Sequence, residues 1–138
     1  MLNSLQTAIY QYLSSKGFEV TDYIDENVKM PYIKLGDTQI RDKILKTGEK
    51  IFYVTWELSY WYDGSNQGKK GRKEINSKYM DLYNSLYELL YKEANDYIII
   101  DCSLGDNNEI LEHYINENTI LFQASINFNF VLQRKENG

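Results

Sequence analysis

Ile51-Phe52-Tyr53-Val54-Thr55-Trp56-Glu57-Leu58-Ser59-Tyr60-Trp61-Tyr62 is the stretch whose reading decides the fold. Phe52, Val54, Trp56, Leu58 and Tyr60 alternate with Tyr53, Thr55, Glu57, Ser59 and Trp61. A period of two, carried by aromatic and β-branched residues, is the pattern of a strand with one apolar face. The other face is amphipathic. A second long alternation closes the chain: Ile120, Phe122, Ala124, Ile126, Phe128, Phe130 and Leu132 fall on one side. Gln123, Ser125, Asn127 and Asn129 fall on the other. Two long strands of this kind need helices to cover their apolar faces.

Two helices are available. Leu2, Leu5, Ala8, Ile9, Tyr12 and Leu13 recur at helical spacing, which predicts a helix over 3–16 capped by Asn3 or Ser4 and ended at Gly17. Ile75, Tyr79, Leu82, Tyr83, Leu86, Leu89 and Leu90 mark the buried stripe of a second, over 72–94. Shorter strands are expected at Phe18–Tyr23, at Pro31–Gly36 and from Tyr97, with turns at Gly36-Asp37-Thr38 and Gly105–Asn108. Asp25-Glu26-Asn27 reads as a loop. The polar stretch Gln39 to Lys50 reads as a loop or an irregular hairpin arm, and Asp63 to Gly71 as a flexible loop. The order is helix, two or three strands, long helix, two or three strands. The expected fold class is α+β: a mostly antiparallel sheet with two helices packed on one face, in a single domain over 1–138.

Composition narrows the function classes. The 138 residues carry one cysteine, which excludes an internal disulfide and a cysteine-based metal cluster. The net charge is −5, whereas a nucleic-acid binder draws its affinity from a basic surplus. No run approaches the ~18 apolar residues that span a bilayer, and the first residues lack the pattern of a signal peptide. Synthesis in the cytoplasm and no membrane partner are the expectations.

The sequence holds no catalytic constellation. His113 is the sole histidine, and Glu112-His113-Tyr114 matches no metal motif. Cys102 with His113 forms no known nucleophile–base motif, and a free cysteine usually behaves as a small hydrophobe. The loop from Gly64 joins a strand to a helix, as phosphate loops do. Its spacing to Gly68-Lys69-Lys70 is one residue short, and the hydroxyl that binds magnesium is missing. The acidic residues form no calcium-loop pattern. The reading is a non-enzyme with no cofactor, no metal and no catalytic residue.

Features suited to a binding role remain. Lys69, Lys70, Arg72 and Lys73 concentrate positive charge on an acidic chain. They serve solubility or contact an acidic neighbour, and charge complementarity orients such docking. Their place at a helix start is one the macrodipole disfavours. Trp61 and Tyr62 are either interface anchors or the rim of the core. The uncharged polar residues of the last strand would leave an edge open to another chain, if that strand lies at an edge.

The order of elements resembles the tail terminator, or tail completion, family of long-tailed bacteriophages and prophages. The resemblance lies in the N-terminal helix, Pro31-Tyr32-Ile33-Lys34-Leu35-Gly36-Asp37, the polar stretch Asp42 to Glu49 and the aromatic strand Phe52 to Tyr62. It continues through the glycine-rich loop, the long helix to Leu89-Leu90 and the closing strand Thr119 to Leu132. It implies a virion protein at the head-proximal end of the tail. Such subunits form a hexameric ring on the finished tail tube, stop its growth and present a surface to the head-completion or stopper protein. The implied partners are further copies of the chain, the tube protein and the stopper; DNA enters only as passing cargo. Another head–tail connector, or a small α+β binding module outside any virus, is the alternative.

Overall fold

A computed structural model describes residues 1–23, 29–65 and 69–136. Helix α1 is Leu2–Ser15 and helix α2 is Lys69–Tyr87. The strands are β1 Val20–Thr21, β2 Tyr32–Ile44, β3 Lys50–Asp63, β4 Glu93–Ala94, β5 Tyr97–Leu104, β6 Glu109–Asn116 and β7 Thr119–Arg134. They form a seven-stranded sheet in the order β1-β2-β3-β7-β5-β4, with β6 also paired to β7. Every pairing is antiparallel except β1 with β2. The expected α+β class, a mostly antiparallel sheet with helices on one face, is the class observed.

β3 and β7 are the spine. Val54 lies opposite Phe130, Trp56 opposite Phe128, Leu58 opposite Ile126 and Tyr60 opposite Ala124. All eight are buried on one face. Leu5, Ile9 and Leu13 of α1 and Ile75, Leu82 and Leu86 of α2 are fully buried in the same core cluster. Tyr87 meets Phe128 edge-on at 5.0 Å.

α1 starts one residue earlier than its spacing predicts. Met1 is its N-cap and no side chain caps it, so neither Asn3 nor Ser4 has the expected capping role. Its end follows the expectation. Gly17 sits at φ +94°, with its N–H on the Ser14 carbonyl and the Phe18 N–H on the Leu13 carbonyl. That is the Schellman arrangement, which needs a left-handed residue.

Several stretches refine the sequence reading or depart from it. α2 ends at Tyr87, not at 94: the chain turns through 88–92 with Tyr91 at φ 67°. Leu89 still enters the core from that turn, so its spacing mimics another helical turn. The polar stretch 39–50, open between a loop and an irregular hairpin arm in the sequence, is a hairpin arm: 39–44 continues β2, paired with β3 from Gln39–Thr55 to Ile44–Lys50. The break expected at Gly36-Asp37 is a shift of register within that one strand. Finally, β7 is not an edge strand. β3 lies on one side of it, and β5 and β6 share the other. The expected strand at 18–23 shrinks to Val20–Thr21, and the expected loop 25–27 lies outside the described residues.

Candidate assembly surface

Among the described residues no helix covers the second face of the spine. It presents Tyr53, Thr55, Glu57, Ser59 and Trp61 of β3 beside Val131, Asn129, Asn127, Ser125 and Gln123 of β7, pair by pair. A row of hydrogen bonds crosses three strands there. His113 of β6 meets the Gln123 oxygen at 2.9 Å, the Gln123 amide donates to Ser59 at 3.4 Å, and Ser59 and Ser125 lie 3.2 Å apart. Thr55 donates to Asn129 at 2.6 Å, and Asn129 donates to Ser103 at 3.4 Å. Neutral hydroxyls and amides satisfy one another there, with Ser59 and Ser125 buried, and Glu57 is the one charged side chain among the ten.

Asn127 has a separate structural task. β5 and β6 run end to end along β7, and the segment 105–108 joins them. The Asn127 carbonyl accepts from Gly105 N–H at 2.7 Å, and its own N–H donates to the Asn108 side chain at 2.8 Å. Its side-chain amide donates to the carbonyls of Asp106 and Asn107 at 3.0 and 3.2 Å. A Cβ on Gly105 would lie 2.8 Å from the Asn127 carbonyl oxygen, so this approach needs glycine.

The two aromatic candidates do not form one patch. Strand alternation sends Trp61 to the helix-free face and Tyr62 to the helix side. Trp61 stacks on His113 with centroids 5.6 Å apart, and its buried indole N–H has no partner among the described residues. Tyr62 stacks on Phe122 at 6.3 Å, and burial, then the Glu74 charge, raises its phenol pKa. Trp61 therefore belongs with the polar face, and Tyr62 with the rim of the core.

The basic candidates lie in the first turns of α2 and not in a loop. Lys70 and Lys73 are exposed, whereas Arg72 reaches across to Glu112 of β6 at 3.2 Å. That ion pair ties the helix start to an outer strand. Residues 66–68 of the glycine-rich segment lie outside the described residues.

Two clefts accompany these surfaces. One, of about 440 Å³, lies on the helix-free face between Gln39, Arg41, Tyr53, Asp101, Ser103 and Asn129. The Arg41 guanidinium sits 4.6 Å from the Tyr53 ring centroid. The other, of about 400 Å³, lies where Lys16 to Glu19 approach α2 near Tyr60 and Glu88. Burial, then the charge of Glu74, pushes the Tyr60 phenol up to about 12.

Cys102 and His113 are not brought together as a nucleophile and base. The Cys102 thiol is buried, near the Tyr87 carbonyl, and burial raises its pKa. His113 lies on the helix-free face, against Trp61. Among the described residues no group of three His, Cys, Asp or Glu side chains is placed to hold a metal ion. No described helix is long and apolar enough to cross a membrane. Sequence reasoning missed the His113–Gln123–Ser59–Ser125 row. Its members sit at matching positions of three strands, and only the register shows that they meet.

No protein-family model matches this chain, and no curated protein does. Solved structures do match. One matching chain belongs to a structure described as "Virion of native gene transfer agent (GTA) particle", with a TM-score of 0.64 and 14% identity over 94% of each chain. The two chains share a fold. The match covers nearly the whole length of each chain, so the likeness is not to one hairpin.

Proposed function

We propose that this chain is a structural protein of a phage-type virion, and within it a tail terminator. The observation that carries the reading is the likeness of fold, over 94% of both chains, to a chain of a gene transfer agent virion. The sequence resemblance to tail terminators points the same way and is finer. The helix-free face supports it as well: a half-buried band of hydroxyls, amides and aromatic rings around the buried Ser59 and Ser125 suits contact with other protein subunits along its rim.

The mechanism follows from what a terminator has to do. It binds the end of the tail tube better than a free tube subunit does, and it offers no equivalent surface above, so growth stops. Six copies in a ring match a six-fold tube and leave a channel for DNA. A net charge of −5 keeps passing DNA from sticking to the ring. Lys70 and Lys73, with Arg72 and Lys69 beside them, supply a basic contact for an acidic neighbour, and Trp61 a contact on the sheet face. An ordering cost incurred on docking would hold self-association low in free solution. The purified chain is therefore a monomer or a weak oligomer, and a ring on the tail. No group in this mechanism performs chemistry, and it requires no cofactor.

The direct test is reconstitution. Added to polymerising tail-tube protein, the chain shortens the tubes in proportion to its concentration and leaves a ring on one end of each. Tubes of unchanged length with bare ends would contradict the terminator role. The same likeness of fold fits another head–tail connector, and a ring bound to head portals but never to tubes would favour that second reading.

A further inference from the structure

Two outer strand edges of this sheet are long and unpaired among the described residues. Along β5 the edge is closed: the N–H groups of Ile99, Cys102 and Leu104 go to the Lys92 carbonyl, the Asp101 side chain and the Tyr87 hydroxyl. β1 covers β2 only at Ile33 and Lys34. Among the described residues, nothing pairs with the outer side of β2 over 38–44 or with the outer side of β6 over 109–116. Both edges expose apolar side chains, Ile40 and Ile44 on β2 and Tyr114 and Ile115 on β6. An open edge with exposed apolar residues is a template for another strand.

Charge decides which strand. The outer half of β2 and the turn after it, from Thr38 to Lys50 at the start of β3, carry four cations, Arg41, Lys43, Lys46 and Lys50, against two carboxylates, with Lys50 3.6 Å from Asp42. The segment from Asp106 to Glu117 carries four carboxylates, Asp106, Glu109, Glu112 and Glu117, and neither Lys nor Arg. Pairing β2 with β2, or β6 with β6, sets like charges opposite one another, which is destabilising. Pairing β2 with β6 sets opposite charges together.

We propose that β6 of one copy pairs with the outer edge of β2 in the next copy, antiparallel, and that this strand pairing is the contact that builds the ring. The inference rests on the terminator reading and names its subunit interface. Direction is consistent: β2 is parallel to β7 and β7 antiparallel to β6, so copies turned about an axis along the strands meet antiparallel. Faces match as well. Arg41 shares the helix-free face with Tyr53, and Glu109 shares it with Ser125. Ile40 and Ile110 both lie on the helix side, opposite Val54 and Ala124. Each copy gives one edge and receives another, a heterologous contact that closes into a ring when the rotation allows it.

The test uses cysteines at two exposed neutral positions of the full chain, Gln39→Cys on β2 and Leu111→Cys on β6, with a short bismaleimide at high protein concentration. Cys102 is buried and stays. The double variant gives a ladder of cross-linked oligomers, a mixture of the two single variants gives one dimer, and each single variant alone gives none. Adding Arg41→Glu weakens the ladder severalfold, and adding Glu109→Lys to that restores it. Dimers from one single variant alone, or no ladder from the double variant, would overturn the proposal. A missing ladder beside capped tubes leaves the terminator role to another interface. A ladder beside uncapped tubes keeps the strand pairing and removes the terminator role.

Discussion

Gly64 follows β3 directly, and its N–H donates to the Ile120 carbonyl at 2.9 Å. A Cβ there would lie 2.2 Å from Cε2 of Phe122, a buried ring held against Tyr62. Gly64→Ala is expected to cost about 1–3 kcal/mol through overpacking, read as a lower denaturant midpoint with the slope unchanged. Glu88 makes a different prediction. The Tyr12 hydroxyl donates to it, Lys16 lies 2.9 Å away, and these two partners, the Tyr12 bond foremost, hold its carboxyl below the ordinary 4.5. A carboxyl lowered in the folded state stabilises above its unfolded value and loses that effect as pH falls through the folded one. Melting followed below about pH 4.5 should show that loss in the native chain, and Glu88→Gln should remove part of the acid dependence. Sequence distinguished such residues unevenly. That Trp61 and Tyr62 face opposite ways follows from strand alternation, whereas the stacking of Trp61 on His113 depends on β6 lying beside β7.

Among the elements, β3 and β7 were legible because one face of each is buried along nearly its full length, and alternation reports burial. β6 and the outer half of β2 were not, for the same reason. Exposed side chains occupy both of their faces, so no period marks them, and backbone pairing with a few side-chain contacts, such as His113 on Trp61, keeps them in the sheet. The end of α2 was hidden because Leu89 is buried from the turn that follows the helix and no Gly or Pro marks the stop. The central place of β7 depends on pairing order, which no local pattern encodes. The junction between β5 and β6 offers a test at this scale. Asn127→Ala removes two side-chain hydrogen bonds to the 106–107 carbonyls, a loss of about 1 kcal/mol. Amide exchange should then quicken over 105–116 and stay unchanged in β3. Equal quickening in both would show that β6 unfolds only with the whole sheet.

For the whole molecule, the core sets what can vary. Phe128 and Phe130 are fully buried at the centre, and Phe128→Ala should cost about 3–5 kcal/mol in denaturant unfolding. Lys70→Glu with Lys73→Glu touches only exposed positions of α2. That pair should change stability by less than about 0.5 kcal/mol while lowering the yield of head-to-tail joining. Separation of the two effects is what an assembly surface on a stable scaffold requires. The central claim, a cap on the tail tube, is tested most directly by electron microscopy of particles from a phage or prophage lacking this gene. The account predicts overlong or headless tails beside filled, tailless heads, with normal particles restored by the native chain. Tails of normal length joined to heads would contradict it.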